Sequence, residues 1–475
     1  MLFNSHVFLL AFLPATLLVY FGLNHAGKNR AAKVALVIAS LIFYGYNIPS
    51  YIPVILSSIV INYGVFVWMK RFPSIRKAIL SLALVFNIAL LGYFKYFDFL
   101  LVNLNLFLHQ DFDLLHIALP LGISFFTFQQ ISFLIDSARG ECNCDNFLDY
   151  TLFVTFFPQL VAGPIVSHDE MLPQFASDEN KAFSFENMRL GLIALSIGLF
   201  KKVVVADSFG RIVSYGYANI SSLNTLEALL TIVGYTIQIY YDFSGYCDMA
   251  IGIGRMFNIQ LPVNFNSPYK ALTIPQFWKR WHITLTRFLT KYIYIPLGGS
   301  RRGTFLTYRN ILLTFFISGL WHGAGYTFLL WGLLHGIANA LGRAFEKQLA
   351  AIPRPLLWCF NFGFINLSWV FFRAESISQG LALISRIFAG GFMVNDSLNF
   401  QLTQMMLVDI PYRYIPFRFV LVGYTAIILA FTVFGKNTQQ ILSEKRRGLL
   451  PLCLVMLLLS VLSLSGVSTF LYFNF

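Results

Sequence analysis

Charged residues are scarce in this chain, and their scarcity excludes most soluble folds. Asp, Glu, Lys and Arg make up 12% of the 475 residues, whereas 57% are hydrophobic and 51 are phenylalanine. The mean hydropathy is +0.67. A soluble protein of this length does not carry so much apolar surface. The composition therefore predicts a polytopic membrane protein, whose many aromatic rings suit lipid contact and the membrane interfaces.

Cysteine is also rare, and the five cysteines do not follow the pattern of a disulfide framework. Cys142 and Cys144 are separated by one residue, whereas a zinc site of this kind needs a two-residue spacer and a second pair. The sequence therefore predicts no metal site. The N-terminus lacks the basic region and cleavage site of a signal peptide, so the first apolar run is interpreted as a retained span.

The few charges are unbalanced, with a formal net charge of +13. The basic residues form short clusters between apolar runs rather than one continuous face, so topology explains them better than a nucleic-acid partner. Clusters within 28–33 and 70–77 are expected in the cytoplasm, which places the N-terminus outside. The cluster at 445–447, before the last apolar run, places the C-terminus outside as well.

Apolar runs of the length that a helix needs to cross a bilayer predict about 11–13 spans. The runs lie near 7–23, 34–48, 51–68, 78–97, 117–135, 188–206, 226–243, 305–319, 326–342, 356–372, 417–435 and 449–467. Segment 151–166 contains Pro158, Gly163 and Pro164, which favours a re-entrant or broken helix inside the protein.

Two longer segments are not apolar enough to be spans. Prolines interrupt residues 258–304, but aromatic residues keep them amphipathic, which predicts interfacial helices at the cytoplasmic face. Residues 373–416 predict a loop with short helices. Because neither a repeat nor a linker divides the chain, a single domain over 1–475 is the simplest organisation.

Polar and ionisable residues are concentrated between Ile274 and Gly336, where such groups at membrane depth indicate function. The stretch contains WHIT, YIPLGGSRRG and GLWHGAGYTF. It resembles the signature region of the membrane-bound O-acyltransferase family, most closely its bacterial alginate O-acetyltransferase branch. Segments 119–136, 156–165, 239–258 and 264–271 resemble the family in the same order.

The resemblance implies an all-α helical bundle around a central tunnel in the bacterial inner membrane. It also implies an O-acetyltransferase that takes an acetyl group from a cytosolic donor, expected to be acetyl-CoA, for O-acetylation of an exopolysaccharide. Alginate fits this branch, with cellulose or peptidoglycan as other acceptors, and a periplasmic acetyltransferase is the expected protein partner. Two alternatives stay open: D-alanyl or other acyl transfer to a cell-wall polymer, and a transporter without acyl chemistry, although inverted repeats are not detected.

Two histidines are the candidate catalytic residues. His322 lies among glycines that would let other groups approach its ring, and imidazole can take the proton of an acceptor hydroxyl. Its position alone favours a histidine hydrogen-bonded between helices, whereas the resemblance identifies it with the family's catalytic histidine. His282 matches a second polar position of the family. It would orient substrate or polarise the thioester carbonyl, and a structural role explains it equally well.

His335 follows His322 by thirteen residues. On one continuous helix it would point well away, so it is interpreted as a packing or hydrogen-bonding residue.

Basic residues are dense around His282, and coenzyme A carries phosphates that such residues bind. Anionic lipid headgroups explain the cluster equally well. Its members are Lys279, Arg280, Arg287, Lys291, Arg301 and Arg302. Asp242 and Asp248, near the end of an apolar run, are expected to face a water-filled cavity or to pair with an arginine such as Arg255.

The C-terminal tail, residues 470–475, has four aromatics among its six residues. An interfacial anchor explains this composition. However, the spacing of Phe470, Tyr472 and Phe475 resembles the terminal motif of the small membrane protein that accompanies the D-alanylating relatives. In that motif the tyrosine is proposed as an acyl relay. The resemblance implies that Tyr472 lies near His322 and passes the acetyl group to a periplasmic transferase.

Overall fold

The computed structural model describes residues 1–142, 144, 146–403, 419–444, 446, 448–464 and 470–471. Helices are the only regular secondary structure in these ranges, which confirms the prediction of an all-helical chain. Within them, four helical segments are long and apolar enough to cross a membrane: Phe8–His25, Pro49–Arg71, Pro73–Leu108 and Arg354–Arg373.

The contacts of the chain divide it into two compact units. Unit 1 comprises Met1–Leu195 and Met249–Pro262, and unit 2 comprises Ser196–Asp248 and Val263–Phe475. The single domain stays a prediction.

The described residues of the first part of the chain form ten α-helices, most of them joined by short turns. They are α1 (Leu13–His25), α2 (Asn29–Gly45), α3 (Ile52–Arg71), α4 (Arg76–Leu91), α5 (Phe97–Leu108), α6 (Ile123–Arg139), α7 (Phe147–Thr155), α8 (Phe157–Leu160), α9 (His168–Ala176) and α10 (Phe185–Phe200). Asn62 and Asn87 join α3 to α4 by reciprocal side-chain hydrogen bonds of 3.2 and 2.7 Å. Buried amides are satisfied in this way where water is excluded.

The broken helix that Pro158, Gly163 and Pro164 predict is confirmed. Helix α7 ends at Thr155, the short α8 follows, and every residue of 151–166 is buried. Non-helical backbone is tolerated here because protein, rather than lipid, surrounds it.

The rest of the chain supplies the helices that position the candidate site. They are α11 (Asp207–Ala218), α12 (Thr225–Met256), α13 (Ile274–Trp278), α14 (Ile283–Leu289), α15 (Thr304–His322), α16 (Tyr326–Ala344), α17 (Glu346–Ala350), α18 (Arg354–Arg373), α19 (Ile377–Ser385), α20 (Asp396–Thr403), α21 (Val420–Phe434), α22 (Thr438–Ser443) and α23 (Leu449–Leu462). The described residues also include four π-helical segments: Phe8–Phe12, Gly92–Tyr96, Lys201–Ala206 and Thr290–Tyr294.

Residues 258–304 contain the short helices α13 and α14, as the sequence predicts, and their place at the membrane interface stays a prediction. Helices α19 and α20 likewise agree with the prediction for 373–416 as far as that segment is described. The run at 226–243 is part of a much longer element, because α12 has 32 residues and continues through Asp242 and Asp248. The polar residues do not end this helix because neighbouring side chains neutralise them.

Candidate active site

Two tightly packed helices, α15 and α16, place His322. A Cβ atom added to Gly319 would lie 2.4 Å from the Phe328 carbonyl oxygen, and one added to Gly332 would lie 2.5 Å from the Phe315 carbonyl oxygen. Only glycine allows two helices to approach this closely, and such contacts are typical of membrane helix pairs. The packing fixes the end of α15, and therefore the backbone of His322.

The glycines around His322 serve a purpose different from the one that the sequence suggested. We expected them to let other groups approach the imidazole. Instead Gly319 admits the backbone of α16, and a Cβ atom on Gly323 would lie 2.2 Å from the Phe328 ring. The small residues are required because α16 passes so close to the end of α15.

Aromatic rings surround the His322 imidazole, which is 3% exposed. Its centroid lies 4.9 Å from the Trp321 ring, 5.1 Å from Trp331 and 5.2 Å from Phe372, with interplanar angles of 71–90°. Edge-to-face contacts of this kind restrict the orientation of the ring. They also keep bulk water away from any chemistry at its nitrogens.

His282 precedes α14 and is fixed by Asn264. Its Nδ1 lies 3.3 Å from Asn264 Oδ1, which also accepts hydrogen bonds from the backbone N–H of Thr284 at 3.2 Å and its hydroxyl at 3.0 Å. Because an amide oxygen only accepts, His282 Nδ1 must donate. The neutral ring therefore has its proton on Nδ1, and its Nε2 is a hydrogen-bond acceptor.

The backbone of His282 is in the left-handed region, with φ of 46°. A residue with a side chain adopts this conformation at a cost of about 1–3 kcal/mol, and it persists only where the surroundings enforce it. The contacts to Asn264 provide that enforcement.

The structure brings the two candidate histidines together. Their ring centroids lie 6.3 Å apart with an interplanar angle of 62°, and both side chains are buried. They come from different elements, the end of α15 and the start of α14. A spacing of this size allows both rings to contact one small group, such as a thioester.

His335 is a hydrogen-bonding residue, which confirms its interpretation. The indole N–H of Trp278 donates to His335 Nδ1 at 3.2 Å, so the proton of the neutral ring is on Nε2, 2.9 Å from Ser368 Oγ. The reason given for this interpretation was wrong, however. A turn at 323–325 separates α15 from α16, so His322 and His335 do not share a helix.

A cavity of about 760 Å³ lies among α13, α14, α15, α16 and α18. This volume is within the range of small-molecule sites. Ser318 lines the cavity and precedes His322 by one helical turn, about 6 Å along α15. The charged residues that line it are Lys279, Arg343, Glu346 and Arg354. The cavity is therefore net basic and extends to within a turn of the histidine pair.

Among the six basic residues predicted to bind the donor, only Lys279 lines this cavity. Arg280 instead donates to the Asn266 carbonyl oxygen at 3.2 Å, and Arg301 and Arg302 are exposed in the turn before α15. Arg343 and Arg354 also line the cavity and were not among the residues selected from the sequence. Their positions could have indicated them, because Arg343 follows the apolar run at 326–342 and Arg354 precedes the run at 356–372. The positive-inside rule predicts that basic residues at such positions lie on the same side of the membrane as Lys279.

Asp242 and Asp248 pair with lysines and not with Arg255. Lys202 Nζ lies 2.6 Å from Asp242 Oδ1, and Lys201 Nζ lies 2.6 Å from Asp248 Oδ2. Both lysines belong to the π-helical segment Lys201–Ala206, and π-helical turns are frequent at functional sites. The carboxylates are buried, so they require nearby cations.

Tyr472 lies outside the described residues, so its relay role stays a prediction. The adjoining Phe470 and Leu471 are described, and both contact α12.

An all-helical membrane protein with paired buried histidines beside a basic cavity has the features of a membrane acyltransferase, and comparison with known proteins identifies the family. The profile of the MBOAT, membrane-bound O-acyltransferase, family matches residues 145–378, which include His282 and His322. A peptidoglycan O-acetyltransferase of Helicobacter pylori is 43% identical over 100% of this chain and 98% of that protein.

A probable alginate O-acetylase of Azotobacter vinelandii is 37% identical over 87% of this chain and 84% of that protein. A teichoic acid D-alanyltransferase of Bacillus subtilis is 27% identical over 48% of this chain and 60% of that protein. The chain belongs to the membrane-bound O-acyltransferase family. It is a multi-pass membrane enzyme and an O-acetyltransferase, which excludes a transporter without acyl chemistry.

Proposed function

We propose that this enzyme moves acetyl groups from acetyl-CoA in the cytosol to a cell-envelope polysaccharide, with peptidoglycan as the first candidate. The observation that carries the proposal is the histidine pair, 6.3 Å apart, beside a basic cavity that reaches one turn from His322. The donor would occupy the cavity with its phosphates near Lys279, Arg343 and Arg354. The inner membrane is the proposed location, with both termini periplasmic, as the basic clusters require.

In the proposed reaction the two histidines have different roles: His322 transfers the proton, and His282 accepts a hydrogen bond from the acetyl donor. His322 takes the proton of the acceptor hydroxyl as its oxygen attacks the thioester carbonyl, and gives it to the departing thiolate. The C–S bond breaks and the ester C–O bond forms. His282 orients the donor, because its Nε2 accepts a hydrogen bond, for which an amide N–H of the pantetheine arm is suited. This role fits the neutral ring better than polarising a carbonyl, which needs a donor.

Peptidoglycan is preferred over alginate because of the extent of similarity. The peptidoglycan O-acetyltransferase of Helicobacter pylori is matched over 100% of this chain at 43% identity, compared with 37% over 87% for the alginate relative from Azotobacter vinelandii. Alginate and cellulose are the second candidates, since the histidine pair does not select a polymer.

The proposal is tested in two stages. Purified enzyme given acetyl-CoA labelled in the acetyl group should release free CoA and a labelled product. If acetyl-CoA fails and an acetylated carrier protein reacts, the carrier protein is the donor instead. Deletion of the gene should then remove ester-linked acetate from peptidoglycan. Unchanged peptidoglycan with deacetylated exopolysaccharide would assign the alginate or cellulose function instead.

The cavity predicts which arginines bind the donor. Replacing Arg343 and Arg354 together by glutamate should raise the KM for acetyl-CoA about 10- to 100-fold, the factor for losing a hydrogen bond to a charged group. The kcat should change little, because phosphate contacts are equal in the ground and transition states. Steady-state kinetics in vesicles measures both constants.

The matched control reverses Arg301 and Arg302, which the sequence selected but which do not line the cavity. We expect a nearly normal KM for this variant. A larger rise in KM for the control than for the Arg343 and Arg354 variant would assign the donor phosphates to the turn before α15.

The relay hypothesis makes a separate prediction for Tyr472. The Tyr472→Phe variant keeps the ring and loses the phenolic nucleophile, so acetylation of the polymer should fall to the level of a strain without the enzyme. Acetate content is measured at equal protein level, with Tyr93→Phe, an exposed tyrosine of unit 1, as the control. Normal acetylation in the Tyr472 variant would contradict the relay hypothesis, in which an acetyl-tyrosine supplies a periplasmic transferase. The tail would then be interpreted as an anchor.

A further inference from the structure

The described end of the C-terminal tail is fixed to helix α12. The backbone N–H of Leu471 donates to Asp242 Oδ2 at 3.0 Å. The Phe470 ring is 2% exposed, and its centroid lies 5.7 Å from Phe243 and 4.8 Å from Tyr246. One hydrogen bond to a charged group and one buried ring therefore attach this end of the chain.

The same attachment point adjoins the histidine pair. The Phe243 ring contacts the Phe470 ring on one side, and it meets the His282 imidazole edge-to-face at 4.8 Å and 84°. The Phe243 ring thus lies between Phe470 and His282. The His322 ring centroid lies 6.3 Å from that of His282.

Asp242 divides its two carboxylate oxygens between a cation and the tail. Its Oδ1 lies 2.6 Å from Lys202 Nζ, which is also 2.8 Å from Asp207 Oδ1, and its Oδ2 accepts the Leu471 N–H. Asp242 is 1% exposed. Because a buried carboxylate must be satisfied on both oxygens, the tail N–H is part of what stabilises this charge.

We propose that Asp242 is a positioning residue that retains the tail residues Phe470 and Leu471 beside the histidine pair, next to the Phe243 ring that contacts His282. Lys202 orients the carboxylate, and Phe243 and Tyr246 seat the Phe470 ring. Retention of the tail is independent of the chemistry, whereas its consequence for acetyl transfer rests on the proposed function. An enzyme whose tail is released should still bind acetyl-CoA but should pass the acetyl group to polymer more slowly.

The Asp242→Asn variant tests the hydrogen bond to the Leu471 N–H separately from the ion pair with Lys202, because the side chain keeps nearly the same shape. An amide has one oxygen, and the charged Lys202 ammonium is a stronger donor to it than the Leu471 N–H, so the NH₂ group is left facing the Leu471 N–H. The Lys202 ammonium retains Asp207 as a partner. The variant is therefore expected to fold and to lose its contact with the tail.

Carboxypeptidase Y digestion of the purified, untagged, full-length protein in detergent measures retention of the tail, with intact-mass spectrometry as the readout. Removal of Leu471 and Phe470 from the wild type should be slow, because both are attached to α12. In Asp242→Asn these two residues should be removed about 10- to 100-fold faster than in the wild type. This factor corresponds to the loss of a hydrogen bond to a charged group, because cleavage follows local opening of the attached segment. A second variant, Phe470→Ala, leaves the ion pairs intact and should also accelerate trimming.

The matched control is Asp248→Asn, on the same helix. Asp248 Oδ2 is 2.6 Å from both Lys201 Nζ and Thr438 Oγ1, so this variant disturbs a comparable buried pair without touching Leu471. Its tail should be trimmed like that of the wild type. Equal acceleration in both Asn variants would mean a general loosening of α12, and it would overturn the proposal, as would wild-type trimming of Asp242→Asn.

The catalytic consequence has its own readout. Transfer of acetyl groups to polymer by Asp242→Asn should fall at least about tenfold, while the KM for acetyl-CoA stays unchanged, because the donor cavity is lined by other residues. Digestion by carboxypeptidase needs neither donor nor acceptor. A retained tail in the wild type with no acetyl transfer would therefore count against the proposed function and not against the role of Asp242.

Discussion

His322→Ala is expected to lower acetyl transfer about 100- to 10,000-fold, the range in which a general base contributes to catalysis. The imidazole is the only group removed, since the close contacts of Gly319 and Gly323 with α16 do not involve this side chain. The neighbouring rings of Trp331 and Phe372 also remain. The protein should therefore insert in the membrane normally.

The measurement is label transfer from acetyl-CoA by purified protein at equal concentration, with thermal unfolding of each variant recorded in the same detergent. His322→Gln is the matched variant, because its amide fills the site and forms hydrogen bonds but does not accept a proton near neutral pH. Both variants should show this loss of about 100- to 10,000-fold. Activity within a factor of ten of the wild type in either one would remove His322 from the role of base.

Loss of the His282 ring is expected to lower kcat/KM about 100-fold, because a misplaced substrate reacts more slowly by roughly this factor. Alanine is a poor probe at this position, since the backbone φ of 46° disfavours most side chains. His282→Gly removes the ring and relieves the backbone strain, and His282→Asn removes it with a residue that tolerates this conformation. Similar losses in both variants would assign the effect to the ring.

The supporting hydrogen bond gives a control for this second prediction. Asn264→Ala keeps the His282 ring but removes the oxygen that fixes its proton on Nδ1. We expect an intermediate loss of activity, because the ring then samples both tautomers. Normal kcat/KM in His282→Gly with reduced stability would instead make His282 a structural residue.

The class of protein and much of its local secondary structure could be predicted from the sequence. The broken segment at 151–166 follows from two prolines and a glycine, which act locally on the backbone. The short helices of 258–304 follow in the same way from the prolines that interrupt this segment. The end of the run at 226–243 could not be predicted, since α12 continues through Asp242 and Asp248. The lysines that make this possible lie about forty residues earlier and come close only after packing.

The candidate site shows the same division. His282 and His322 were both selected from the chain, but their 6.3 Å separation depends on a turn before α14 and a helix end at α15. The donor-binding set stays a prediction, and the cavity adds Arg343 and Arg354, which lie far along the sequence from His282. Density of charge in the sequence selected Arg301 and Arg302, which do not line the cavity.

The sequence by itself determined that this protein is a helical, multi-pass membrane protein, and it selected the candidate site between Ile274 and Gly336. Hydrophobic length and the scarcity of charge are properties of short segments, so they need no knowledge of the fold. Only the tertiary structure decided the proton position on His282, the lysine partners of Asp242 and Asp248, and the attachment of Phe470 beside the histidine pair. Each of these depends on distances of a few ångströms between residues that are remote in the chain, and those distances are set by packing.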